Sequence, residues 1–159
     1  MTLIKTLIFT ILAPGTVTIL IPRWLLASSP GAERFDIGVL RFLGVVPILL
    51  GVSIYLWCAW DFTFAGKGTP APIDPPKELV ARGLYRYVRN PMYVGMTSVL
   101  IGEALLFQSL ALLAYAGTVL LVFHLFVVLY EEPALRRKFG DSYRRFLDTV
   151  PRWIPRIKG

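Results

Sequence analysis

Four apolar runs, at about residues 3–26, 37–60, 92–107 and 110–130, leave this chain few folds to choose from. A hydrocarbon core about 30 Å thick takes roughly 20 helical residues to cross. Each run is therefore read as a transmembrane helix, and the chain as an all-α integral membrane protein built as one domain over residues 1–159. Pro14-Gly15 and Pro22 interrupt the first run, which a membrane helix tolerates as kinks when neighbours satisfy the freed carbonyls. That run lacks the small-residue cleavage pattern of a signal peptide, so it is kept as a span. Only Gln108 and Ser109 part the last two runs, predicting a tight helical hairpin.

Composition agrees: 55% of residues are hydrophobic and mean hydropathy is +0.62, although 17% of residues are charged. A net charge of +7 would suggest nucleic acid in a soluble protein. Here the bases flank apolar runs where anionic headgroups lie, so membrane lipids are the expected partners and nucleic acid is not. Cys58 and His124 stand alone of their kinds, too few for a structural metal site or a disulfide within the chain. No metal is expected. Cys58 reads as a small buried hydrophobe.

Lysines and arginines crowd two places, the connection over residues 61–91 and the tail over residues 131–159. Both belong on the cytoplasmic side by the positive-inside rule, which puts both termini and the polar site there, in a bacterial-type inner membrane. The connection contains GKGTPAPIDPP, whose prolines and glycines forbid a regular helix. Gly66-Lys67-Gly68 within it suits either a plain turn or a backbone cradle for an anion. The tail alternates Leu135, Phe139, Tyr143 and Phe146 with arginines, an amphipathic interfacial helix interrupted at Gly140 and placed to cap the site.

Polar residues at the cytoplasmic ends of the spans define the candidate site. Arg82, Arg86 and Arg89 recur every three to four residues; Arg82 and Arg86 suit lipid phosphates and Arg89 an acceptor group. Pro91 opens the third span and Asn90 stands at its N-cap position, so the positive end of a helix dipole faces the cytoplasm beside Tyr93. Gly95, Ser98 and Gly102 leave one face of that span nearly bare, a packing surface expected to meet Ala114, Gly117 and Thr118 across the hairpin. Glu103 on the same span is costly in lipid and faces protein, water or the far interface. His124 precedes Glu131 by seven residues and shares its stripe, suggesting either proton handling or a hydrogen-bonded core histidine. Glu131 and Glu132 close the fourth span, as helix N-terminal acids or as ligands for an ammonium or vicinal hydroxyls.

The segments ELVARGLYRYVRNPMYVG (78–95) and YEEPALRRKFGDSYRRFLDTVPRWIP (130–155) together resemble the isoprenylcysteine carboxyl methyltransferase family and its relatives among membrane phospholipid methyltransferases. The likeness covers about residues 66–155. It implies an enzyme that uses S-adenosylmethionine at the cytoplasmic face and takes a lipophilic acceptor from the bilayer. It carries cofactor contacts onto Glu78, Leu79, Val80, Tyr85, Asn90, Pro91, Met92, Tyr93 and Glu131, with Glu132 beside them. Two positions depart from the family pattern. Asn90 stands where many members have histidine, and Val127 about where the eukaryotic enzymes have arginine, which puts a prenylcysteine carboxylate in question as acceptor.

Methyl transfer from a sulfonium needs proximity and desolvation more than a nucleophile. A carboxylate acceptor would need a cation, Arg89; an amine or hydroxyl would need a base, His124 or Glu132. Two other readings are open: a membrane NADPH-dependent sterol or enone reductase, whose C-terminal arginine, proline and tyrosine pattern is similar, and a non-catalytic membrane binding module.

Overall fold

The computed structural model describes residues 2–28, 34–64 and 79–155, so Glu78 and Gly66-Lys67-Gly68 lie outside the described residues. Among the described residues six α-helices carry the fold: α1 Thr2–Gly15, α2 Ile21–Ser28, α3 Val45–Phe64, α4 Pro91–Leu106, α5 Leu110–Phe126 and α6 Glu132–Thr149. Among the described residues the sole β-type pairing is an isolated bridge between Arg34 and Ser109, which ties the connection after α2 to the α4–α5 turn.

Among the described residues three continuous helical stretches are long and apolar enough to cross a membrane: Ile4–Ser28, Gly38–Phe64 and Leu110–Thr149. Their outer faces carry large apolar side chains in the open, Ile11 at 70% and Leu129 at 72% exposure among them. A belt of that extent demands an apolar solvent. The third expected span, α4, has 16 residues, about 24 Å of helix, shorter than a full crossing.

The first stretch stays helical through its prolines by widening. A π-turn at Thr16–Leu20 follows Pro14, and Thr18 Oγ1 donates to Pro14 O at 2.8 Å, a side-chain donor in a stretch where proline has removed one from the backbone. A second π-turn, Val127–Glu131, joins α5 to α6 without a break. The tail helix is thus continuous with the last membrane run, and it bends at Gly140, where φ is +53°.

The best-packed pair is α3 against α4, antiparallel, and here the expected hairpin packing is corrected. Gly95 meets Gly51 and Gly102 meets Gly44, so close that a methyl group on any of the four would strike the opposite backbone. Ser98 Oγ donates to Pro47 O between the two crossings, at 3.0 Å. Gly117, expected to answer this face from α5, has nothing within 4 Å of where its Cβ would be. A bare stripe specifies close approach and not the identity of its partner. Two glycines seven residues apart, Gly44 just before α3 and Gly51 within it, match the α4 stripe, whereas Gly117 stands alone.

Before α4 the chain makes a single 3-10 turn at Gly83–Arg86. Arg82 does not point to lipid: its Nε donates to buried Asp61 Oδ1 of α3 at 3.0 Å. Gly83 sits over the same carboxylate with φ at +55°. Gly83→Ala is expected to cost about 1–2 kcal/mol from the left-handed backbone alone, with the clash against Asp61 added, as measured by thermal unfolding in detergent. A melting temperature equal to the wild type would refute this account of the turn.

Candidate cofactor cavity

One cavity of about 200 Å³ opens where the Tyr85 turn, the start of α4 and the α5–α6 junction meet. Leu79, Val80, Tyr85, Arg89, Asn90, Tyr93, Glu131 and Glu132 all line it. Residues 53 positions apart in sequence therefore converge, because the α4–α5 hairpin returns the chain to the same end. Pro91 and Met92 are buried beneath the cavity and do not line it; Met92 belongs to the core cluster with Tyr55, Cys58 and Tyr85.

Each polar group has its own task. Tyr93 Oη donates to Glu131 Oε2 at 2.9 Å, and the Tyr93 ring stacks on Phe123 with centroids 4.6 Å apart. Tyr85 is buried next to Cys58, and burial holds its phenol well above the usual range, so it is a neutral hydroxyl. The remaining walls are largely aromatic, with Phe62, Phe126, Phe139 and Tyr143 contributing.

Glu132 differs from its neighbour. It receives Arg89 Nη1 at 2.9 Å and Arg152 Nε at 2.8 Å on Oε1, and Arg152 Nη2 at 3.0 Å on Oε2. The carboxylate is 8% exposed, Arg89 14% and Arg152 31%. Two cations share one anion, so the cluster keeps a net positive charge. Arg89 Nε is buried with no partner.

The tail is strapped onto the start of α4 by backbone as well. Arg89 N donates to Pro151 O at 2.9 Å and Asn90 Nδ2 to Arg152 O at 3.1 Å. Asn90 holds the N-cap position of α4, yet its side chain makes no capping bond; its Nδ2 is turned to the tail instead. Arg152 is the residue sequence reasoning missed, counted there only as one base among many. Its signal was the Pro151 and Pro155 pair around it, which ends α6 and lets the chain fold back.

His124 is not brought to the cavity. Its Nδ1 accepts from Trp153 Nε1 at 3.1 Å, and it lines a separate groove between α4 and α5. A seven-residue spacing would stack His124 and Glu131 only on a regular helix. The π-turn between them adds a residue and turns Glu131 by about 100°.

Helical structure with three membrane-length apolar helices among the described residues, and a polar cavity at their end, defines the class, a helical membrane protein. Residues 39–142 match the model of the phospholipid methyltransferase family, and the chain belongs to that family. It is also 37% identical over 79 residues to protein-S-isoprenylcysteine O-methyltransferase of Schizosaccharomyces pombe (strain 972 / ATCC 24843). That match covers 50% of this chain and spans 34% of the relative.

Proposed function

We propose that the protein is an S-adenosylmethionine-dependent methyltransferase acting at the cytoplasmic membrane face on a lipophilic acceptor drawn from the bilayer. The observation that carries the reading is the Tyr93–Glu131 hydrogen bond inside an aromatic-walled cavity, in a member of a methyltransferase family.

The residues fit that cofactor. Glu131, held in place by Tyr93, suits an ammonium or sulfonium charge, and the rings of Tyr85, Phe126 and Phe139 suit a flat adenine and a cation near their faces. Leu79, Val80 and the backbone about Asn90 complete the apolar wall. When bound, S-adenosylmethionine supplies a methyl group already activated on positive sulfur. The chain's part is orientation and exclusion of water.

For the acceptor, Arg89 is the natural holder of an anion, since its Nε faces no partner and its cluster carries net positive charge. Glu132 is committed to two arginines and His124 to the groove, so neither is assigned as a base. This favours an acceptor with no proton to lose, a carboxylate of isoprenoid type, over a hydroxyl or a phospholipid-like amine. In the same reading α4 serves as a fourth, short span and α6 lies on the interface with its bases toward headgroups. Both termini and the cavity face the cytoplasm, in a bacterial-type inner membrane.

Calorimetric titration of the purified protein with S-adenosylhomocysteine and with NADPH tests the reading. Binding of the first is expected, weakened about tenfold or more in Tyr93→Phe and Glu131→Ala, the scale of a lost charge-assisted hydrogen bond. Binding of NADPH alone would establish the reductase alternative, and binding of neither the non-catalytic one.

A further inference from the structure

We infer that Arg152 is a positioning residue for the acceptor site: it occupies both oxygens of Glu132 and so leaves Arg89 a free edge and a positive charge for an anionic acceptor. This rests on the methyltransferase reading and names what makes its acceptor site select an anion.

The bonds of the cluster set the first half of the case. A carboxylate offers two oxygens, and a guanidinium is a rigid fork that matches both. Arg152 makes that match, with Nε on Oε1 at 2.8 Å and Nη2 on Oε2 at 3.0 Å. Arg89 reaches only Oε1, through Nη1 at 2.9 Å, and its buried Nε is left without a partner. Without the Arg152 side chain, Oε2 would lie open to Arg89. Arg89 would then turn its own Nε onto the carboxylate, using the edge that Arg152 uses now, because the two-bonded pair is the stronger one.

Charge gives the same result. Arg89, Arg152 and Glu132 sum to +1, and a carboxylate acceptor brings the group to zero. Arg89 and Glu132 alone already sum to zero, so the same acceptor would add an uncompensated negative charge beside a carboxylate that is 8% exposed. Arg152 thus converts a self-neutralised pair into an anion receptor.

Position decides which arginine touches the ligand. Arg89 lines the cavity and Arg152 does not, so Arg152 acts through Glu132 from behind. Its backbone is fixed without help from its side chain. Arg89 N donates to Pro151 O, Asn90 Nδ2 to Arg152 O and Trp153 Nε1 to His124 Nδ1. A substitution at residue 152 therefore leaves the three bonds that hold the tail.

The test measures methyl transfer from radiolabelled S-adenosylmethionine to N-acetyl-S-farnesylcysteine, an isoprenoid carboxylate, by the full chain in detergent, with the uncharged carboxamide of the same molecule as competitor. Arg152→Met is expected to raise KM for the carboxylate about tenfold, the scale of one charge-assisted hydrogen bond. The loss should fall on KM and not on kcat. The preference for carboxylate over carboxamide should disappear with it. Arg152→Lys keeps the charge and loses the fork, and is expected to fall between wild type and Arg152→Met. Arg152→Met combined with Glu132→Gln restores the net charge of the cluster and should bring KM back toward the wild-type value. A side chain that only held the tail would give further loss in that double variant. S-adenosylhomocysteine affinity, which reports an intact fold, is expected to stay at the wild-type value in both single variants.

Side-chain NMR on protein carrying isotope-labelled arginine reads the same change without turnover. The Arg89 Nε–H resonance, identified by its loss in Arg89→Met, is expected to move downfield in Arg152→Met before any acceptor is added and to return in the double variant. An unchanged KM in Arg152→Met, no recovery in the double variant, or an Arg89 resonance that stays in place overturns the proposal. A wild type that binds no S-adenosylhomocysteine sinks the methyltransferase reading, and one that binds it but leaves the carboxylate unmethylated sinks the acceptor assignment. In either case the Arg89 resonance decides by itself whether Arg152 sets the state of Arg89.

Discussion

Glu132→Ala is expected to destabilise the protein by about 3–5 kcal/mol, the cost of breaking a buried ion pair from one side. Glu132 is the anion between Arg89 and Arg152, and without it two guanidinium groups face each other in a nearly dry site. The penalty falls chiefly on Arg89, since Arg152 is 31% exposed and partly screened by water. The same carboxylate joins three separated stretches: the approach to α4, the start of α6 and the tail. Its loss should therefore loosen the tail strap as well. Glu132→Ala combined with Arg89→Met is expected to recover part of the stability, because the second change removes the stranded charge. Thermal unfolding of both variants in detergent measures this. A Glu132→Ala variant within about 1 kcal/mol of the wild type would show the cluster to be solvated in the membrane-bound protein.

That cluster also marks the limit of what could be read from the sequence. The apolar runs, the hairpin turn and the convergence of Tyr85, Tyr93 and Glu131 were legible because length, hydropathy and a family likeness report them directly. The division of labour between Glu131 and Glu132 was not. Adjacent residues on a helix point about 100° apart, and which of them meets Tyr93 and which the arginines depends on the π-turn that ends at Glu131. Nothing in VVLYE announces that turn, so the His124–Glu131 stripe drawn on regular geometry failed there. Arg152 was hidden for another reason. Its partner lies 20 residues earlier, across a bend at Gly140 and a reversal at Pro151, and the position was read as one more surface base. Arg82 was misplaced in the same way, since Asp61 is 21 residues away across the connection.

Gly95→Val is expected to weaken both the fold and the cavity, although Gly95 touches no cavity residue's polar group. A Cβ at this position would stand 2.8 Å from Gly51 O and 3.1 Å from Ile54 Cγ2. The first neighbour is backbone within α3 and cannot rotate aside, so α4 has to shift away from α3 at this crossing. Overpacking of this kind costs about 1–3 kcal/mol. Gly102→Val strikes Gly44 O in the same manner at the other crossing and should cost a similar amount of stability. The two differ in what they displace. Gly95 is two residues from Tyr93, whereas Gly102 is nine residues on, about 13 Å along the helix. Gly95→Val is thus expected to misplace Tyr93 against Glu131 and lower S-adenosylhomocysteine affinity about tenfold. Gly102→Val should leave that affinity within a factor of about two, less than the worth of one hydrogen bond. Unfolding midpoints and titrations on the two variants separate stability from site geometry. Equal losses of affinity would mean that α4 moves as one rigid rod, and that its seating on α3 along its whole length sets the position of Tyr93.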